Sequence, residues 1–304
     1  MTQTILLVGA TGMFGGQIAR QLLSQPDARV RLLLRPSSNA DKMAAITSLR
    51  DRGAKIVEGD LADRASLERA TQNVDVIVSA VQGGPDVIID GQIALAEAGL
   101  HNGVHRILLS DYALDMFKAT PGEHMLFDLR RNADEAIAAS GIAHVHVLQG
   151  AFMEMFMPGS GVIDYDAGIV TFWGDGTQLI EVTSVEDTAR MVAHVALDQS
   201  IASGKFAFAG DRVSILDATK VIEAQTGRRF ERRSLGTEAD LRAAHAKAVQ
   251  DTSNPMGAVM LAYQLYMLTG QTALSDLQND RYPDTKLENF TEFAARALPG
   301  TSTV

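Results

Sequence analysis

The sequence predicts an α/β fold: a doubly wound parallel sheet with a smaller α/β lobe attached. Three observations predict it. Short apolar runs alternate with helix-length amphipathic runs through the first half of the chain. The apolar runs are continuous Val/Ile/Leu, as strands buried on both faces are. A glycine-rich turn, with Gly9, Gly12 and Gly15, joins the first apolar run to the first amphipathic one.

The elements follow in order. TILLVG (4–9) is the first strand and 17–24 the helix after it. RVRLLLR (29–35) precedes a helix over 40–52, and AKIVEGD (54–60) precedes one over 66–72. VDVIVSAV (74–81) leads to a helix over 87–99, and HRILLSD (105–111) to one over 123–140. AHVHVLQG (143–150) closes the series. Strands separated by helices of this length are βαβ units, so the sheet is parallel. The pattern changes near residue 150, where FMEMFMPGSG begins. Beyond it lie strands, a helix after Ser184 with a capping box to Asp187, and helices over 215–226, 237–249, 256–268 and 287–298. The expected division is 1–150 for the sheet domain and 151–304 for the second lobe, with segments of the lobe able to return to the sheet.

The chain has 304 residues, enough for one large domain or two modest ones. Hydrophobic residues at 46% and charged ones at 21% exclude a disordered chain. The absence of cysteine excludes disulfides, thiolate metal sites and cysteine nucleophiles. A net charge of −10 without a basic block argues against a nucleic-acid partner. No basic, cleavable leader precedes TILLVGATG and no apolar stretch is of spanning length. The expectation is a cytoplasmic protein without membrane contact.

In a strand–turn–helix setting, the first glycine allows a tight turn, the second a close pyrophosphate and the third close helix packing. Amides at the helix N-terminus then face the phosphates. This is the Rossmann-type dinucleotide turn. The second strand ends in Arg35, where an acidic residue would bind a ribose hydroxyl; arginine suits a 2′-phosphate instead. Ser37, Ser38 and Lys42 stand ready to assist. The cofactor expected is therefore NADP(H). Its expected contacts are Gly9, Thr11, Gly12, Met13, Phe14 and Gly15 in the turn, and Arg35 and Lys42 after the second strand. Further contacts are expected from Asp60, Leu61, Ala80, Val81, Gln82 and Ser110 at later strand ends, and from Gly150 and Phe152 after the sixth strand.

GATGMFG, LLLRP, GAKIVEGDLAD, VDVIVSAV and HRILLSD resemble the NmrA-like and isoflavone reductase-like branch of the atypical short-chain dehydrogenases. LTGQTALSDLQNDRYPDTKLENFTEF is similar to the C-terminal stretch of its isoflavone reductase-like members. The resemblance implies a seven-stranded Rossmann sheet with a substrate lobe. It also implies NADPH-dependent reduction of aromatic, often phenylpropanoid-derived, compounds, or, in NmrA-like relatives, dinucleotide binding without turnover.

The tyrosine of the Y-x-x-x-K acid is not supported: Tyr112 follows the fifth strand, but residue 116 is methionine. The branch's own lysine helix, F-x-x-K-x-x-x-R-x-A-I, aligns with FDLRRNADEAI. Phe127, Ala136 and Ile137 match, the lysine position is Arg130, and the arginine position is Asp134. Arginine stays charged and is a poor base, but it can orient a ribose or offset an oxyanion. Arg130 and Tyr112 are the catalytic candidates. His124 is read as a solvated loop histidine or an acid near neutral pH, and His144 and His146 as packed or edge residues where plant members carry tyrosine. No histidine–carboxylate grouping has metal-ligand spacing, so no metal is expected.

Met153, Phe156, Trp173, Met260 and Tyr263 are the expected wall of a pocket for a flat aromatic substrate. Met256, Met260, Tyr263 and Met267 recur at helical spacing, which equally fits core packing. Two readings stand: an NADPH-dependent reductase of an aromatic or polycyclic carbonyl, enone or benzylic ether, and a non-catalytic NADP(H)-binding regulator. Either would be a monomer or homodimer.

Overall fold

The computed structural model describes residues 2–35 and 40–298, with the side chains of 40–43 outside that description. The first half alternates strand and helix as the apolar runs require. β1 (Gln3–Val8) leads to α1 (Met13–Leu23), β2 (Ala28–Leu34) to α2 (Ala40–Asp51) and β3 (Lys55–Glu58) to α3 (Arg64–Ala70). β4 (Val76–Ser79) leads through a π-helical turn at Asp86–Gly91 into α4 (Gln92–His101). β5 (Arg106–Leu108), α5 (Met125–Ser140) and β6 (Ala143–Leu148) complete the series.

Then come β7 (Ala151–Phe152), β8 (Ile163–Asp164), β9 (Ile169–Phe172), β10 (Ile180–Thr183) and α6 (Val185–Leu197). They are followed by β11 (Gly204–Ala207), β12 (Asp211–Val213), α7 (Ile215–Thr226) and β13 (Glu231–Ser234). α8 (Glu238–Val249), α9 (Pro255–Thr269) and α10 (Phe290–Ala297) end the fold.

Seven strands form one parallel sheet in the order β11-β6-β5-β4-β1-β2-β3. β1 pairs with both β2 and β4, so the order reverses between β1 and β4. In a doubly wound sheet, ligands bind at such a switch point, beyond the carboxyl ends of the strands.

Two compact units divide the chain, and the division is not one cut near residue 150. The first comprises Met1–Tyr112, Leu129–Val147 and Thr188–Phe206; the second comprises Ala113–Asp128, Leu148–Asp187 and Ala207–Val304. The core of the first is apolar strand and helix faces, with Leu6, Ile77, Leu95, Ile107 and Ile137 all 1% exposed or less. Its returning segment is anchored by buried Arg106. That guanidinium donates to the carbonyls of Val195 (2.9 Å), Ala196 (2.8 Å), Asp198 and Ile201, at the C-terminal end of α6, where cations are favoured.

The second unit has two three-stranded sheets, β12-β10-β7 and β13-β9-β8. Its main core joins Met153, Phe156, Val170, Val182, Ile222, Phe230, Phe290 and Phe293. Local sequence starts its helices: Ser214 caps α7, while Thr237 and Asn289 open α8 and α10 with complete capping boxes. At α6, Ser184 Oγ accepts the Asp187 amide at 3.2 Å, and the Asp187 carboxylate accepts the Glu288 amide at 2.7 Å. No helix among the described residues is long and apolar enough to cross a membrane.

Candidate functional site

The first unit brings the glycine turn to the switch point. Gly9 follows β1 with φ 96°, a conformation that L side chains rarely adopt. A Cβ on it would lie 2.2 Å from the Ala80 carbonyl oxygen, just past β4. A Cβ on Gly15 would lie 2.2 Å from the Gly9 oxygen, so α1 sits directly on the turn. Gly12 differs. It is the N-cap of α1 and has no capping side chain, and a Cβ there would meet only the Gly9 oxygen, at 3.4 Å. Protein atoms demand glycine at 9 and 15. At 12 they leave open space in front of a helix N-terminus, the cradle a pyrophosphate fits.

The other expected contacts in this unit fall at strand ends. Thr11 and Phe14 are half-buried and Met13 is exposed. Arg35 is exposed at the end of β2. Ser37, Ser38 and the Lys42 side chain lie outside the described residues. Asp60 Oδ1 accepts the Ala62 amide at 3.0 Å, and the Leu61 side chain occupies the space beside Gly91, where a Cβ would come within 2.9 Å of it. Val81 is half-buried and Gln82 exposed. Buried Ser110 donates its hydroxyl to the Val81 carbonyl at 2.8 Å, tying the end of β5 to the end of β4.

The two catalytic candidates lie in the same unit. Tyr112 packs edge-on to Phe14 with centroids 4.7 Å apart. Its hydroxyl donates to the Ser79 carbonyl at 3.0 Å. Burial first, and the Asp111 carboxylate next, push that phenol well above its ordinary pKa. It is a neutral hydroxyl with its proton engaged. Arg130, on α5, donates Nε to the Ser110 carbonyl at 2.8 Å, so its guanidinium is anchored at the strand end.

Behind these residues the fold builds a grouping that linear spacing does not reveal. Asp111 follows β5, Asp134 is one turn after Arg130 on α5, and His146 lies in β6. His146 Nδ1 is 2.8 Å from Asp111 Oδ2 and 3.8 Å from Asp134 Oδ2. All three residues are buried. Burial and then the neighbouring Asp111 raise the Asp134 carboxyl well above the usual range, against the opposing pull of Arg130.

The second unit holds the other candidates. Gly150 has φ 78°, and a Cβ on it would lie 2.3 Å from the Glu181 carbonyl oxygen. Phe152 is half-buried in β7. A cavity of about 230 Å³ is lined by Met155, Phe172, Trp173, Met260, Met267 and Leu268, among others. Trp173 Nε1 donates to Gln264 Oε1 at 2.8 Å, a polar contact in a mostly apolar wall. Of the five expected pocket residues, Trp173 and Met260 line this cavity. Met153 and Phe156 instead are fully buried in the core, because the short 3₁₀ turn at Met153–Phe156 points both inward. Tyr263 packs edge-on to His124 and Phe127.

His124 is not solvated as expected. It is buried, stacks on Phe127 with centroids 3.8 Å apart, and accepts the Phe127 amide at Nδ1, satisfying the start of α5.

The NmrA-like family model matches residues 1–254. The chain belongs to the NmrA-like family. Among curated relatives, pinoresinol reductase 1 of Arabidopsis thaliana is 24% identical over 95% of both chains. Phenylcoumaran benzylic ether reductase IRL1 of Ginkgo biloba is 26% identical over 95% of this chain and 97% of that one. Among solved structures, AtPrR2 with NADP+ and (+)pinoresinol superposes with a TM-score of 0.84 at 23% identity, covering 98% of this chain and 99% of that one. An isoflavone reductase crystal structure gives 0.84 at 19% identity, covering 97% and 99%. These superpositions establish the NmrA-like chain's fold.

Sequence reasoning missed Asp134 as a buried acid, its grouping with Asp111 and His146, and Gln264 as the partner of Trp173. The sequence carries no signal for this grouping, which arises only when β5 and β6 pair in parallel register, Leu108 with Val145, and bring Asp111 and His146 together.

Proposed function

We propose that this NmrA-like chain is an NADPH-dependent reductase of an aromatic or polycyclic small molecule, reducing a carbonyl, enone or benzylic ether. The observation that carries this reading is end-to-end likeness to curated reductases, at 24% and 26% identity over 95% of the chain. The turn supports the cofactor: Gly9 and Gly15 shape it, and Gly12 leaves the space a pyrophosphate needs. Arg35, at the end of β2, is the candidate for the 2′-phosphate.

When bound, NADPH supplies a hydride. Arg130 supplies a permanent positive charge that offsets the negative charge growing on the substrate oxygen, and its Nε bond to Ser110 keeps that charge from wandering. Guanidinium gives up no proton near neutral pH, so the oxygen takes its proton from water. Tyr112, with its hydroxyl on Ser79, shapes the wall beside Phe14 and is a positioning residue. Taken by itself, the Met- and aromatic-lined cavity of the second unit suits a flat, neutral ligand. The same reading takes the chain as a cytoplasmic monomer or homodimer, which fractionation and light scattering test.

The test is direct titration with NADPH and NADH, followed by NADPH consumption on a panel of lignans, phenylcoumarans, isoflavones and quinones. NADPH binds at least about tenfold tighter than NADH, and Arg35→Glu removes that preference. Turnover on at least one panel member is expected. Tight NADPH binding with no turnover on any of them would favour the regulator, for which the replacement of the branch's lysine by Arg130 is the supporting observation.

A further inference from the structure

We propose that Asp111, Asp134 and His146 form a binding site for one divalent transition-metal ion of the zinc class. The site is three protein ligands from three adjacent elements: the end of β5, the middle of α5 and the middle of β6. One ligand atom from each lies within 4.8 Å of the others. Ligand atoms at zinc distances of about 2.0–2.2 Å in tetrahedral geometry are about 3.3 Å apart. The observed 2.8 Å and 3.8 Å from His146 Nδ1 bracket that value.

Independent of the clustering is the state of the carboxylates. The Asp134 side chain is 5% exposed, and neither of its oxygens has a hydrogen-bond partner. Asp111 is fully buried and its Oδ1 also lacks a partner. Three of the four carboxylate oxygens therefore carry no donor, although buried polar atoms in folded proteins almost always have one. The nearby guanidinium does not fill the role, since Arg130 Nε is directed at the Ser110 carbonyl and Asp134 receives no bond from it.

A divalent cation satisfies these oxygens and neutralises two buried carboxylates at once. Two carboxylates with one imidazole suit zinc, with manganese, iron and cobalt as relatives in the same donor chemistry. Binding deprotonates the ligands, so the ion enters as protons leave and no redox step is involved.

The experiment uses the full chain, stripped with chelator and free of NADPH, with cobalt(II) and zinc(II) as probes. One cobalt per chain is expected, with the visible d–d absorption of a four- or five-coordinate ion and displacement by one zinc. A rise in the thermal midpoint of the stripped protein should accompany saturation. Asp134→Asn and His146→Gln should each weaken binding at least 100-fold while leaving the far-UV circular dichroism unchanged. If either variant fails to fold, the wild-type stoichiometry, band and thermal shift still decide the matter. No bound cobalt at 100-fold excess overturns the proposal. So does binding that is unchanged in folded variants, which would place the ion on exposed carboxylates. An imidazole NMR signal of His146 that titrates with pH and ignores added zinc overturns it as well, leaving a shared proton to balance the charge. None of these readouts involves NADPH, so their failure leaves the reductase reading intact.

Discussion

In the first unit the glycine turn is held by backbone. The Ala80 carbonyl stands where a Gly9 side chain would be, and the Gly9 carbonyl where a Gly15 side chain would be. In the second unit the cavity is bounded by side chains, several of them methionines with free rotors. The difference teaches where change is tolerated. A backbone-defined site has almost no residue choices and serves any ligand of the right shape. A side-chain-defined cavity can be rebuilt one residue at a time, so the ligand it fits can change stepwise.

The sharpest way to break this comparison lies within the turn itself. Gly9→Ala forces a Cβ against a backbone carbonyl at a φ that disfavours it, and should cost about 3 kcal/mol or more of stability. Gly12→Ala meets no such obstacle and should cost about 1 kcal/mol or less. Its Cβ instead enters the open space, so NADPH affinity should fall at least about tenfold. Urea denaturation and a binding titration separate the two. Equal stability losses at 9 and 12 would mean that Gly12 serves the fold rather than a ligand.

The next largest effect is expected at Arg130. Arg130→Ala should lower turnover about 100-fold with NADPH affinity changed by less than about threefold, the signature of an interaction made mainly in the transition state. Arg130→Lys should keep most of the activity, because lysine keeps the positive charge at that position. Steady-state kinetics with the best panel substrate are the measurement. An unchanged rate in Arg130→Ala would reduce the residue to its bond with Ser110.

Much of the first unit was legible, and the reason is physical. Its strands are buried on both faces, so they read as uninterrupted Val/Ile/Leu bounded by turns. The seventh strand was not legible from its own residues. β11 is the four residues GKFA, and its place beside β6 depends on tertiary pairing. The grouping of Asp111, Asp134 and His146 was hidden for the same reason: it exists only once three elements are side by side. On α9 the period itself misleads. Met256 and Met260 are 46% and 52% exposed, while Val259, Ala262 and Tyr266 face the core. The helix is apolar nearly all round, so spacing cannot say which stripe is buried.

A third expected effect sharpens the contrast by testing what holds the second unit. Glu223, buried on α7, accepts from Arg232 Nη1 at 2.6 Å and Nη2 at 2.7 Å, and from the Phe230 amide at 2.9 Å. Those bonds tie the otherwise exposed strand β13 to the helix. The Arg232 guanidinium, with the Phe230 amide and the Arg229 charge assisting, holds the carboxyl down at about 2, below its ordinary 4.5. A carboxyl depressed on folding contributes fully above its unfolded pKa. The contribution is therefore complete above pH 4.5 and is lost as pH falls toward about 2. Glu223→Gln should cost about 2 kcal/mol at neutral pH and flatten the acid limb of the stability curve. Denaturation midpoints measured between pH 6 and pH 2 check both. A variant whose acid limb matches wild type would assign acid sensitivity to other carboxylates.

The smallest expected effect is also the most local. Trp173 donates its indole N–H to Gln264 inside the cavity wall. Trp173→Phe keeps an aromatic surface and removes the donor, leaving the Gln264 oxygen to find water or substrate. A neutral hydrogen bond is worth about 1 kcal/mol, so global stability should change by no more than about that amount. If the cavity receives the substrate, KM should shift about threefold to tenfold, while kcat and NADPH affinity stay within about twofold. A substrate bearing a hydroxyl should gain relative to its methyl ether, because the released Gln264 oxygen accepts the hydroxyl proton and can take nothing from the ether. Comparing kcat/KM for such a pair in the wild type and the variant isolates that preference from packing. An unchanged ratio, with unchanged KM, would mean that the substrate binds elsewhere and that this cavity only completes the packing of the second unit.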